Sequence, residues 1–148
     1  MSEEPAPLQF WHHHGGVSVP DLDASIAWYR DVLGFEVARR FPIPTIPADV
    51  AVLQNGPLHI ELFQVDGARP LPDERRQPDT DVYTHGNKHV SFAVANVRPF
   101  AEELKKRGAD IVWVREFAQG ANIFIRDNAG NLIEFVQTAF PEARFASL

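Results

Sequence analysis

A histidine-to-glutamate span occurs twice in the chain, and this duplication constrains the fold more than any other feature. His14 opens His14-Gly15-Gly16-Val17-Ser18-Val19-Pro20-Asp21-Leu22, and Glu61 lies in Leu58-His59-Ile60-Glu61-Leu62-Phe63-Gln64. His89 opens His89-Val90-Ser91-Phe92-Ala93-Val94-Ala95-Asn96-Val97, and Glu134 lies in Leu132-Ile133-Glu134-Phe135-Val136-Gln137. The separations are 47 and 45 residues, and both glutamates sit in an Ile-Glu-apolar-apolar-Gln string. Two copies are too few for a solenoid. They suit a duplicated module whose halves face each other and set equivalent residues about a shared centre.

At 148 residues the chain is of single-domain size and long enough to bury a core without covalent staples. The net charge of −6 and the scattered Lys and Arg residues argue against nucleic acid as a partner. The absence of cysteine removes disulfides, thiolate ligands and a thiol nucleophile together, and is compatible with a reducing compartment. No apolar run approaches the roughly 20 residues of a membrane span, and the start, Ser2-Glu3-Glu4-Pro5, is acidic and unlike a signal peptide. A soluble cytoplasmic protein without a membrane partner is the expectation.

Residues 1 to about 9 are polar and Pro-containing and are expected to fray. Phe10 to Val19 reads as a strand, in which alternate residues share a face. His12, His14, Gly16 and Ser18 then point one way, and His13, Val17 and Val19 the other. Asp21 and Asp23 offer N-cap oxygens to a helix over Ala24 to Leu33, which Gly34 ends. A strand follows from Phe35 to Phe41. The prolines of Pro42-Ile43-Pro44-Thr45-Ile46-Pro47 predict a loop, followed by strands near Val50 to Gln54 and Leu58 to Val65. The first module, about 10–65, is therefore β-α-β-β-β. The polar, Pro-containing stretch 66–87 links the modules or covers a site.

The second module, about 88–138, repeats the order. Lys88 to Ala95 reads as a strand, Asn96 as the cap of a helix with Pro99 in its first turn, and Gly108 as its end. Strands are predicted over Ile111 to Val114, Asn122 to Arg126 and Asn131 to Gln137, the last two joined by Asp127-Asn128-Ala129-Gly130. In both modules the first-strand histidine faces away from the valine row that packs under the helix. Glu61 shares its face with His59 and Phe63, and Glu134 shares its face with Leu132 and Val136. An ionised glutamate within an apolar strand is costly unless it is paired or coordinates a cation. Two such glutamates facing two histidines make a cage for one divalent ion, Ni, Co, Zn, Mn or Fe, with open positions left for substrate. The opposite reading for Glu61 is an ion pair with an arginine.

The run His14 followed by Val17 to Phe35 (Val-Ser-Val-Pro-Asp-Leu-Asp-Ala-Ser-Ile-Ala-Trp-Tyr-Arg-Asp-Val-Leu-Gly-Phe) resembles the opening module of the vicinal oxygen chelate superfamily. That group includes glyoxalase I, methylmalonyl-CoA epimerase, extradiol dioxygenases and the fosfomycin and bleomycin resistance proteins. Asp127-Asn128-Ala129-Gly130-Asn131-Leu132-Ile133-Glu134-Phe135 resembles its closing hairpin. The resemblance runs from about His14 to Gln137. It implies an α+β fold of two tandem βαβββ modules forming a curved eight-stranded open cup, with His14, Glu61, His89 and Glu134 as the metal ligands.

That ligand set is similar to glyoxalase I. It implies a metal-dependent lyase or isomerase of the lactoylglutathione lyase or epimerase kind, acting on a small oxygenated molecule. Two substrate oxygens bind the ion, which stabilises an enediolate, while Glu134 or Glu61 moves a proton between adjacent carbons. Glu134 is the base that the resemblance favours. Ser18 and Val65 stand where glyoxalase I-like proteins offer Arg and Asn to glutathione, which weakens the case for a glutathione thiohemiacetal. His12, His59, Phe63, Ser91 and Phe124 are candidate substrate-facing residues; His12 reads equally as a rim histidine, His59 more readily as a solvated strand histidine, and His85 as a loop histidine. An Fe(II) extradiol-type dioxygenase, needing His14, His89 and Glu134 but not Glu61, is one alternative. A drug-binding resistance protein without turnover is another. A homodimer is expected, because an open cup leaves strand edges to cover.

Overall fold

The computed structural model describes residues 6–139. The predicted fraying of the start falls partly outside that range; residues 6–14 are exposed and carry no strand or helix. The first strand, β1 (Gly15–Ser18), is therefore shorter than the sequence predicts. Its parallel register with β4 (Leu58–Val65) explains the difference, since Gly15 pairs with Ile60 and Ser18 with Phe63. The same offset sets residues 10–12 opposite the turn Asn55-Gly56-Pro57, which offers them no ladder.

α1 (Leu22–Leu33) begins at Asp21, whose side chain accepts from the Ala24 N–H at 3.0 Å. It ends at Gly34 with φ +74°, a left-handed cap that glycine adopts without a Cβ penalty. β2 (Glu36–Ile43) and β3 (Ala48–Asn55) follow. Pro42 lies inside β2, against the expectation of a loop from that residue. The sheet order β1-β4-β3-β2 gives the reason: β2 is an edge, where a missing donor is tolerated.

The connection is more ordered than its composition suggests. It holds a 3-10 turn over Asp73–Arg76 and a short helix, α2 (Pro78–Asp81). Asp81 is 1% exposed and its Oδ1 accepts from Arg75 Nε at 2.8 Å and from Lys88 Nζ at 3.3 Å. Arg126 Nε donates to the Arg76 carbonyl at 2.7 Å, which fastens the segment to the second module.

That module contains β5 (Val90–Val94), α3 (Val97–Lys106), β6 (Asp110–Phe117), β7 (Gly120–Arg126) and β8 (Leu132–Gln137), in the order β5-β8-β7-β6. The eight strands thus form two four-stranded sheets of identical topology, without a ladder joining them among the described residues. The edges β1 and β5 still adjoin, since a Cβ added at Gly15 would meet Val90 Cγ2 at 3.9 Å. Even the irregularities repeat: the outer strands are bulged between Val37 and Arg39 and between Ile111 and Trp113.

Helices α1 and α3 pack on the same side, in one apolar cluster that includes Leu22, Tyr29 and Leu62 from the first module and Val97, Leu104 and Phe135 from the second. Tyr29 is fully buried and donates to Asp127 Oδ2 at 3.0 Å, while Ser25 Oγ donates to Asn128 Oδ1 at 3.0 Å. Phe35 lies 6.2 Å from Phe92 across the module boundary.

Candidate functional site

The alternation of the strands puts Ile60 and Leu62 into the core and turns Glu61 to the helix-free side. β8 does the same with Ile133, Phe135 and Glu134. The register then lays out two equivalent rows across the helix-free faces. One reads Gly16, Glu61, Val52, Arg39 and the other Ser91, Glu134, Phe124, Trp113.

His14 precedes β1, and its Nε2 lies 2.8 Å from Glu61 Oε2. His89 precedes β5, and its Nε2 lies 3.0 Å from Glu134 Oε2. The glutamate side chains are 18% and 17% exposed, so each carboxylate is mostly sheltered yet open to a small ligand. Each glutamate thus has an imidazole partner from its own module, and the arginine reading for Glu61 is not what the structure contains. Among the described residues, no three or more His, Cys, Asp or Glu side chains gather closely enough to hold one ion. The structure presents the four expected ligands as two pairs, one in each module. Within a pair the histidine stands just before one strand and the glutamate lies in that strand's hydrogen-bonded neighbour, whereas the pairs lie on separate sheets. Imidazole nitrogen and carboxylate oxygen are donors that fit a borderline divalent ion, though one pair supplies fewer protein ligands than such sites use.

The two pairs have different surroundings. Glu134 Oε1 accepts from Asn122 Nδ2 at 2.9 Å, and Asn122 Oδ1 accepts from Trp113 Nε1 at 3.2 Å. This chain fixes the rotamer of Glu134 from the side away from His89. His89 also meets the edge of Phe124, with centroids 4.9 Å apart. In the first module the contacts run through histidines. His14 Nδ1 lies 2.6 Å from His13 Nδ1, one ring donating to the other, and His13 stacks on His59 at 5.9 Å. His12 is exposed in the segment before β1, and His85 is an exposed loop residue. Phe63 flanks Gly16, where an added Cβ would approach its ring to 3.2 Å. Ser91 sits beside Glu134 in the ladder.

Two hollows adjoin these groups. The larger, about 1190 Å³, runs along the seam between the modules and touches His12, His59, His89 and Ser91. The smaller, about 380 Å³, touches Glu134 and Asn122 beside the β6–β7 turn. Neither includes Glu61, Phe63 or Phe124.

Sequence reasoning missed Asn122, although its inward parity with Phe124 in Asn-Ile-Phe-Ile-Arg was a usable signal. It also left the repeated glutamine without a role. Gln64 Oε1 accepts from the Leu22 N–H at 2.6 Å, and Gln137 Oε1 accepts from the Val97 N–H at 3.0 Å. Each glutamine lies on the helix side of its strand and satisfies a first-turn N–H that has no partner within the helix. The Ile-Glu-apolar-apolar-Gln string therefore serves both faces of its strand.

The duplicated βαβββ architecture with inward His–Glu pairs defines a glyoxalase-type fold. The chain belongs to the Glyoxalase/Bleomycin resistance protein/Dioxygenase superfamily, whose profile matches residues 11–135. It is 32% identical over 109 residues to a 2-epi-5-epi-valiolone epimerase of Actinomyces sp., an alignment covering 63% of this chain and 56% of that protein. It is 28% identical to the mitochondrial methylmalonyl-CoA epimerase of Bos taurus, covering 93% of this chain and 82% of the relative. A glyoxylase/bleomycin resistance protein/dioxygenase domain from Frankia sp. EAN1pec superposes with a TM-score of 0.70 at 26% identity, covering 90% and 94% of the two chains. The chain spans only about half the length of the first relatives it matches, 56% and 52%.

Proposed function

We propose that this protein is a metal-dependent isomerase or lyase that moves a proton between adjacent carbons beside a carbonyl of a small oxygenated substrate. His14, Glu61, His89 and Glu134 would hold one divalent ion when the two pairs converge on it, an approach closer than their present spacing. The observation that carries this reading is the duplicated His–Glu pair, each carboxylate turned to the helix-free face within an otherwise apolar strand. Relatives named as epimerases support the reaction class.

The ion, when bound, supplies a Lewis acid for developing negative charge on substrate oxygens. The remaining chemistry falls to side chains. A proton carrier must be held within reach of the carbon it serves. Asn122 holds Oε1 of Glu134 while Oε2 faces His89, so this carboxylate is fixed at both oxygens, which supports Glu134 as the proton carrier. Glu61, which meets only His14 in this way among the described residues, is the second carboxylate. Phe63, Phe124 and Ser91 line the face, with His12 and His59 at the seam. A homodimer that covers the β2 and β6 edges completes the proposal.

Metal content of untagged protein tests it, with Glu61→Gln and Glu134→Gln beside wild type. About one ion per chain is expected, lost in both variants, together with solvent deuterium exchange beside the carbonyl across a panel of small oxygenated substrates. Ion retained in Glu61→Gln alone would overturn the four-ligand assignment in favour of an oxygenase-type site.

A further inference from the structure

The helix-free face of each sheet carries an arginine laid on an aromatic ring. On β6 the Arg115 guanidinium carbon lies 3.5 Å from the centre of the Trp113 ring, and on β2 that of Arg39 lies 4.7 Å from the centre of Phe41. Register places these pairs on the side of the glutamates: Trp113 shares the Phe124–Glu134 row, and Arg115 pairs with Asn122. Two strand spacings separate Arg115 from β8, roughly 10 Å at the backbone. In a chain of net charge −6, each outer strand sets a cation on the face that bears a glutamate.

We infer that the substrate is an anion, and that Arg115, laid flat on Trp113, receives its carboxylate or phosphate while the oxygenated end lies at Glu134. This rests on the proposed use of that face as the substrate site. A guanidinium held on a ring loses less freedom on binding and keeps its donor fork free for two oxygens. The present partner of Arg115 is Asp79 of α2, at 3.5 Å and with both side chains largely exposed. An ion pair of that kind is weak and exchangeable. Asp79 shows that a carboxylate fits against this guanidinium, and it marks the connecting segment as a competitor for it.

The test is titration of metal-free protein with phosphoglycolate, malonate and uncharged glycolamide, followed by the Trp113 indole N–H in nitrogen-15 spectra, with Trp113→Phe identifying the signal. Both anions should shift it and glycolamide should not; the stronger anion tells phosphate from carboxylate. Arg115→Met should weaken binding about tenfold or more, the scale of a lost charge-assisted hydrogen bond. Asp79→Asn should tighten it, and Arg98→Met, on the outer surface, should leave it unchanged. Equal response to glycolamide, or unaltered binding in Arg115→Met, overturns the inference. Parallel titration with nickel, cobalt, zinc, manganese and ferrous ions keeps the two readings apart: failure of all five in wild type removes the metal proposal, while the anion result is read independently.

Discussion

At the scale of single residues, the repeat made the two glutamates equivalent, and the structure makes them different. Glu134 is clamped by an amide that is itself held by an indole; Glu61 rests against an imidazole. Groups that orient a ligand commonly change metal affinity by about 10- to 100-fold. Asn122→Leu is therefore expected to lower nickel affinity by that order while the thermal midpoint moves little, as calorimetric titration beside a melting curve would show. Unchanged affinity would make Asn122 a packing residue only. The glutamates and histidines were legible from spacing because an ionisable residue inside an apolar strand stands out. The inward parity of Asn122 was legible but its role was not, because that depends on which residue lies across the ladder, and register is not written in the strand that carries it.

At the scale of elements, helices and strands followed their local signals: Asp21 and Asn96 cap as predicted, and Gly34 ends α1. The errors came where a neighbour decides. β1 begins late because residues before it face the turn that precedes β4, and β2 accepts Pro42 because it is an edge. Gln64 and Gln137 show the converse, a repeated sequence signal whose meaning is purely tertiary. Gln64→Leu and Gln137→Leu should each cost about 1 kcal/mol, the value of one hydrogen bond, in urea unfolding. Their effects should be similar in size and leave ion binding largely intact, since both side chains lie on the helix side. A much larger loss in only one variant would show that the modules are not equivalent in stability.

At the scale of the molecule, the modules are joined on the helix side by a shared core and by the Tyr29–Asp127 hydrogen bond. Burial raises the Tyr29 pKa well above its ordinary value of 10.0, and the Asp127 charge and hydrogen bond raise it further. A raised folded-state value means that the stabilisation is complete below about pH 10, where the unfolded chain also keeps the proton. Above that, the unfolded chain releases its proton first and stability falls. The stability advantage of wild type over Tyr29→Phe should be steady from pH 7 to 9 and shrink by up to about 1.4 kcal/mol per unit above 10. Denaturant midpoints across that range check it, and a constant difference would refute it.

The missing ladder between β1 and β5 has a mechanical meaning. Backbone bonds set the spacing inside each His–Glu pair, as β1 is bound to β4 and β5 to β8. The span from one pair to the other is governed by the side-chain packing and the Tyr29–Asp127 and Ser25–Asn128 hydrogen bonds beneath, like two plates sharing a spine. A small rocking about that spine alters the gap between the plates and leaves each plate unbent. The width of the gap is thus the easiest dimension for a bound molecule to adjust.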